Sequence, residues 1–124
     1  HGINGTGQIV GLADSGLDLS SCYFDQDCDS PVDTVNMECQ KVIAYTCYVD
    51  CVEHKDPLKS HGTHVSGTII GHAHQGAAFV EDAKYNGIAK GARLAFFDMG
   101  EESENSTVLT APSDFNSDLL EVCY

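Results

Sequence analysis

Apolar positions fall along the chain in short blocks, and the spacing within each block predicts a different element. From Gln8 to Ala13 an apolar run lies between a Gly-rich stretch and Asp14-Ser15-Gly16, the pattern of a buried strand that ends in a tight turn. β-Branched and aromatic residues return at Val42, Ile43, Tyr45, Tyr48 and Val49 and predict a second strand over 41–49, which the polar stretch from Asp50 to Lys59 breaks. From His61 the spacing becomes helical: Val65 and Ile69 stand four apart, Ser60 offers an N-cap and Gly71 a stop, so a helix carrying His61, His64 and Gly67 is expected. A further apolar strand is expected over 92–99, after the turn signal Asn86-Gly87. Residues 18–40 follow no period; they carry Asp18, Asp25, Asp27, Asp29, Asp33 and Glu38 with three cysteines and read as an acidic, disulfide-pinned surface insertion. Beyond Glu101 the chain is acidic and Ser-rich up to a short amphipathic piece near 118–124. Strand, strand, helix, strand is the order of an α/β fold.

Composition narrows the function classes. At 124 residues, 42% hydrophobic, with 12 Gly and 3 Pro, the chain has the make-up of one modest globular domain rather than a disordered tail. Its net charge of −13 repels a phosphate backbone or an anionic membrane surface, which argues against nucleic-acid binding. The longest apolar candidate for a membrane segment, Val65 to Ile70, is interrupted by Ser66, Gly67 and Thr68 and is far short of the roughly 20 residues a span requires.

Six cysteines, Cys22, Cys28, Cys39, Cys47, Cys51 and Cys123, are an even number in a short chain, and two sequons start at Asn4 and Asn105. Together they point to disulfides, to glycosylation and to a secreted, lumenal or cell-surface setting. A thiolate metal site competes, but Cys47 and Cys51 have no second closely spaced pair to complete it. The chain opens at His1 without Met or an apolar leader segment, so its start is expected to be a cut or a missing end. Oxygen ligands alternate at Asp25, Asp27 and Asp29, yet neither the Gly nor the distal Glu of an EF-hand loop follows; a structural Ca²⁺ is compatible with this segment but not indicated by it. The Gly-rich stretch before the first strand is no phosphate loop, because such a loop follows a strand and opens a helix.

Two residues carry candidate chemistry. Asp14 stands at the carboxyl end of a buried strand, where α/β sheets collect ligands and catalytic groups, although an Asp there also serves simply to bond its own turn. His61 opens a helix, whose positive end disfavours imidazolium, while a nearby carboxylate would favour it and fix the tautomer. Such a pair makes a general base able to activate a hydroxyl.

These residues resemble a family. Ile9-Val10-Gly11-Leu12-Ala13-Asp14-Ser15-Gly16-Leu17-Asp18 is similar to the aspartate motif of subtilisin-like serine peptidases. Residues 60–71, Ser60-His61-Gly62-Thr63-His64-Val65-Ser66-Gly67-Thr68-Ile69-Ile70-Gly71, resemble that family's histidine motif, and residues 86–94 resemble the approach to its next core strand. The resemblance implies a three-layer α/β fold with a mostly parallel central sheet, Asp14 as orienting carboxylate, His61 as general base and acid, Gly67 as a small residue for close helix packing, no cofactor for the chemistry, and protein or peptide substrates. His64 receives no role. Within the family the acidic insertion looks more like that of transporter-linked slime-mould proteases and an oxidation-resistant bacterial alkaline protease.

The family's catalysis also needs a Ser in a Gly-Thr-Ser-like segment and an oxyanion-binding Asn, and neither motif is present; none of the ten serines stands in such a segment. Ser15, next to Asp14, is expected to point away from the site by alternation along the strand. The expectation is therefore the N-terminal portion, over 1–124, of a single subtilisin-like catalytic domain, incomplete in this chain and inactive without its other half. Two readings compete with it. One is a catalytically inactive interaction module on the same scaffold. The other is a zinc cluster of His61, His64, His72 and His74, against which stands the need of helical zinc peptidases for His at i and i+4 with an intervening Glu.

Overall fold

Three apolar runs far apart in the sequence become neighbours in one sheet. The computed structural model describes residues 2–29, 32–48, 60–75, 78–79, 84–103 and 106–120. In chain order its elements are strands β1 (Ile9–Asp14) and β2 (Val42–Cys47), helix α1 (His61–Ile70), short strands β3 (His74–Gln75) and β4 (Ala78–Phe79), strands β5 (Arg93–Asp98), β6 (Gly100–Ser103) and β7 (Ser106–Leu109), and a π-helical turn, Asn116–Leu120. β1, β5 and β2 form a parallel sheet in that order. The architecture is α/β. Pairs β3–β4 and β6–β7 are antiparallel hairpins.

The β1–β5 register runs unbroken from Ile9 opposite Arg93 to Asp14 opposite Asp98. Because side chains alternate along a strand and directly opposed residues share a face, Leu12 and Asp14 lie on the same face as Phe96 and Asp98. Tyr45, Phe96, Leu94, Val42, Leu17, Phe24, Ala92 and Ile70 form the buried core, in which the rings of Tyr45 and Phe96 lie 5.4 Å apart. The β2 register shifts between Val42 and Ala44, a bulge in the segment expected to be one regular strand.

Helix α1 turns Gly62, Ser66 and Ile70 inward, a stripe of residues four apart. This corrects the expected apolar stripe: Val65 and Ile69 flank the contact and are only partly buried. The helix lies too close to the sheet for large residues at its first turn, since a Cβ on Gly62 would stand 2.2 Å from the Gly16 carbonyl oxygen. It also corrects the role implied for Gly67, where an added Cβ meets nothing within 4 Å. Gly71 ends the helix as expected, and its N–H donates to the Gly67 carbonyl at 3.0 Å. At the same end Lys41, buried at the entry to β2, donates from Nζ to the carbonyls of Ile70 at 2.8 Å and Ala92 at 3.4 Å and to that of Lys90. A cation is favourable where a helix leaves carbonyls unpaired. Burial, with the neighbouring Lys90 charge, lowers the Lys41 pKa to about 8.

Residues 18–40 are more than a surface insertion. Their acidic groups Asp25, Asp27, Asp29, Asp33 and Glu38 are exposed, but Phe24 is buried in the core. Bridges Val32–Tyr45 and Val35–Ala44, with N–H bonds from Asp33 to the Tyr45 carbonyl and from Asn36 to that of Ile43, lay the segment along β2. Cys28 and Cys39 are joined by a disulfide, and Cys47 is disulfide-bonded as well. Cys22, expected to pair, is free: the turn that buries Phe24 leaves its thiol facing solvent. Cys51, Cys123 and Asn105 lie outside the described residues, as does the expected amphipathic piece beyond residue 120. Among the described residues no helix is long and apolar enough to cross a membrane.

Candidate active site

Asp14 ends β1 and His61 begins α1, so the carboxyl end of a strand meets the amino end of a helix. The expected N-cap does not form: Ser60 adopts a left-handed conformation (φ 61°, ψ 34°) and makes no side-chain cap bond. The cap comes instead from the turn after β1, where the Ser15 hydroxyl oxygen accepts the Gly62 N–H at 3.2 Å. Ser15 is fully buried and turns its hydroxyl to the start of the helix. Asp18 N–H donates to Thr63 Oγ1 at 3.0 Å, and His61 Nδ1 lies 2.8 Å from Asp14 Oδ1. Three consecutive residues, 61 to 63, are thus each bonded to the segment 14–18.

The Asp14 carboxylate is held from its own side too. Its Oδ1 accepts the Ser15 N–H at 2.7 Å, and its backbone carbonyl accepts the Met99 N–H at 2.8 Å. The side chain of Asp14 is 9% exposed and that of His61 58%, so a largely sequestered carboxylate presents an imidazole toward solvent. A carboxylate on Nδ1 favours the tautomer with its proton there and leaves Nε2 as the basic nitrogen. Chemically the pair can accept a proton at Nε2, stabilise the resulting imidazolium and return the proton.

His64 lies elsewhere. With Tyr23, Phe24, Thr63, Gly67 and Tyr85 it lines a cleft of about 320 Å³ that includes neither Asp14 nor His61. Among the described residues no three of His, Cys, Asp or Glu gather to hold a metal ion. The side chain of His74, part of the zinc reading, lies outside what is described. Asn4 stands in a turn where its Oδ1 accepts Thr6 N–H at 3.1 Å and Thr6 Oγ1–H at 2.7 Å. Sequence reasoning missed two features of the site. One is the Ser15 cap; the other is Asp98, a buried carboxylate at the end of β5, and the signal for it is a charged residue closing an apolar run.

A parallel α/β sheet with an Asp at the carboxyl end of one strand, bonded to a His that opens a helix packed on that sheet, defines the class of protein. The chain belongs to the subtilase family, peptidase S8, whose family model matches residues 5–113 and so contains both Asp14 and His61. It is similar to three proteins of Dictyostelium discoideum named serine protease/ABC transporter B family protein: tagB, 35% identical over 115 residues, tagD, 32% over 115, and tagA, 34% over 104. These alignments cover 92%, 92% and 84% of this chain. The chain spans only 5–6% of the length of those relatives. No solved structure matches it significantly.

Proposed function

We propose that this chain is the Asp- and His-bearing part of a serine endopeptidase domain that acts on protein or peptide substrates. In this reading Asp14 orients and charges the imidazole, and His61 takes the proton of a Ser hydroxyl as it attacks the scissile carbonyl and returns it to the leaving amine. The nucleophilic Ser and the oxyanion donor come from polypeptide outside these 124 residues, and the chemistry requires no cofactor. The observation that carries the reading is the 2.8 Å approach of His61 Nδ1 to Asp14 Oδ1 within a subtilase-family chain. The disulfide-bonded Cys28, Cys39 and Cys47 support a secreted or secretory-pathway setting.

A fluorophosphonate probe tests it. The 124-residue chain should stay unlabelled, because even a misplaced hydroxyl would lack the oxyanion donor, whose loss alone costs on the order of 10²–10³ in turnover. The full-length gene product should label at one Ser and lose labelling with His61→Ala. Labelling of the short chain at any serine would place the active site elsewhere, and an unlabelled full-length protein would favour the inactive interaction module.

A further inference from the structure

The carboxyl end of the sheet holds a second buried acid beside the first. Asp98 closes β5 as Asp14 closes β1, and the two are register partners in the parallel ladder. Their side chains therefore leave the same face of strands that run about 4.8 Å apart. Asp98 is 4% exposed, yet its carboxylate is well supplied with donors: Oδ2 accepts the Tyr45 hydroxyl at 2.5 Å and Oδ1 the Gly100 N–H at 2.8 Å. A hydrogen bond donated to each oxygen favours the charged form of a carboxyl group. The turn that Asp98 secures also bears on Asp14. Met99 N–H donates to the Asp14 carbonyl, and Gly100 packs so closely that a Cβ there would stand 2.5 Å from the Ser15 carbonyl oxygen.

We propose that Asp98 is a positioning residue of this site: it fixes the turn beneath Asp14 and, acting with Asp14, adds a second negative charge that raises the basicity of His61. The proposal rests on the reading of His61 as general base. Two carboxylates on adjacent strands repel unless a cation is brought to them, and the protonated ring of His61 is such a cation, so the arrangement favours imidazolium against the opposing helix terminus. Among the described residues the other titratable groups at this end of the sheet are Tyr45 on β2, Tyr48 just beyond it, whose N–H donates to the Asp98 carbonyl, Asp18 in the turn that receives α1, and exposed Glu101 on β6, which accepts from Thr110; His64, one turn along the helix, faces the separate cleft. Cys47, in register with Asp98, is disulfide-bonded and does not titrate.

The test is an NMR titration of the ¹⁵N-labelled imidazoles in this chain, which needs no turnover. Asp98→Asn should lower the His61 pKa by roughly half a unit to one unit, the shift expected of one partly screened charge nearby. Tyr45→Phe, which breaks the bond to Asp98 but leaves the charge, should leave His61 within about 0.2 unit of its original value, well inside that charge effect. An unchanged His61 in folded Asp98→Asn, or an equal drop in both variants, would overturn the proposal. Should Asp98→Asn not fold, the ¹³C carboxyl resonance of Asp98 in the unsubstituted chain decides: it should be ionised at neutral pH and step where His61 titrates. A protonated or uncoupled Asp98 refutes the idea. Failure of the peptidase reading would look different, as absent fluorophosphonate labelling of the full-length protein with the coupling between Asp98 and His61 intact.

Discussion

Helix α1 carries two glycines for which the same substitution should have opposite signs. In Gly62→Ala the new Cβ would meet the Gly16 carbonyl oxygen at 2.2 Å and Asp14 Cβ at 3.1 Å. Restoring an ordinary C···O contact of ~3.3 Å requires the helix start to retreat by roughly 1 Å. That movement would carry the 2.8 Å bond between His61 and Asp14 to ~3.9 Å, beyond a hydrogen bond. Overpacking of this kind costs about 1–3 kcal/mol, and helix propensity returns at most about 1 kcal/mol of it. Gly67→Ala, five residues on, collects the propensity gain alone because nothing lies within 4 Å of its added carbon. The expected result in urea denaturation is a loss of about 1–2 kcal/mol for Gly62→Ala and a gain of about 0.5–1 kcal/mol for Gly67→Ala. Imidazole NMR should show the coupling of His61 to Asp14 lost only in the first. Equal effects of the two substitutions, or an unaltered His61 in Gly62→Ala, would refute the claim that close approach at Gly62 sets the site.

Ser66 is fully buried in the helix-to-sheet contact, and its hydroxyl finds no hydrogen-bond partner among the described residues; Ser66→Ala should therefore raise stability by about 1 kcal/mol in chemical denaturation, and a loss would show that the hydroxyl is satisfied. Lys41 has its pKa lowered from 10.5 to about 8 in the folded chain, so between those values the unfolded chain binds more protons and stability should rise with pH from about 8 to 10.5, the gain being lost over the same interval as pH falls from 10.5 to about 8. Lys41→Met should remove that rise from the difference between the two stability curves, and an identical pH dependence in both proteins would count against a strained buried ammonium.

The strands are readable in the sequence because each is an apolar run closed by turn residues, and the Asp14 and His61 motifs announce their own positions. The readable features stop where a choice depends on which neighbour comes near. Gly62 and Gly67 are equivalent letters in one motif, and only the proximity of Gly16 separates a glycine that is needed from one that is not. Ser60 has the right place for an N-cap, but its left-handed backbone removes it, and Ser15, distant in sequence, takes over through a contact that no local pattern encodes. Phe24 looks like one aromatic in an acidic loop, since its burial requires β2 and α1 to be in place first. The hairpins β3–β4 and β6–β7 are too short and too polar to leave a periodic signal.

The parallel sheet order also sets when the Asp–His pair can form. Among the described residues every ladder bond of β1 goes to residues 93–98, so Asp14, once made, cannot settle until the chain has been extended through β5. At synthesis rates of roughly 5–20 residues per second that interval lasts on the order of several seconds. Throughout it the apolar run of β1 has no strand partner and is a target for chaperones or for a wrong edge. His61 emerges midway through the interval and waits with it. Assembly of the pair is therefore a late, all-or-none event timed by the longest loop in the sheet, and any lesion that slows β5 should leave nascent chains with both residues present and no working contact between them.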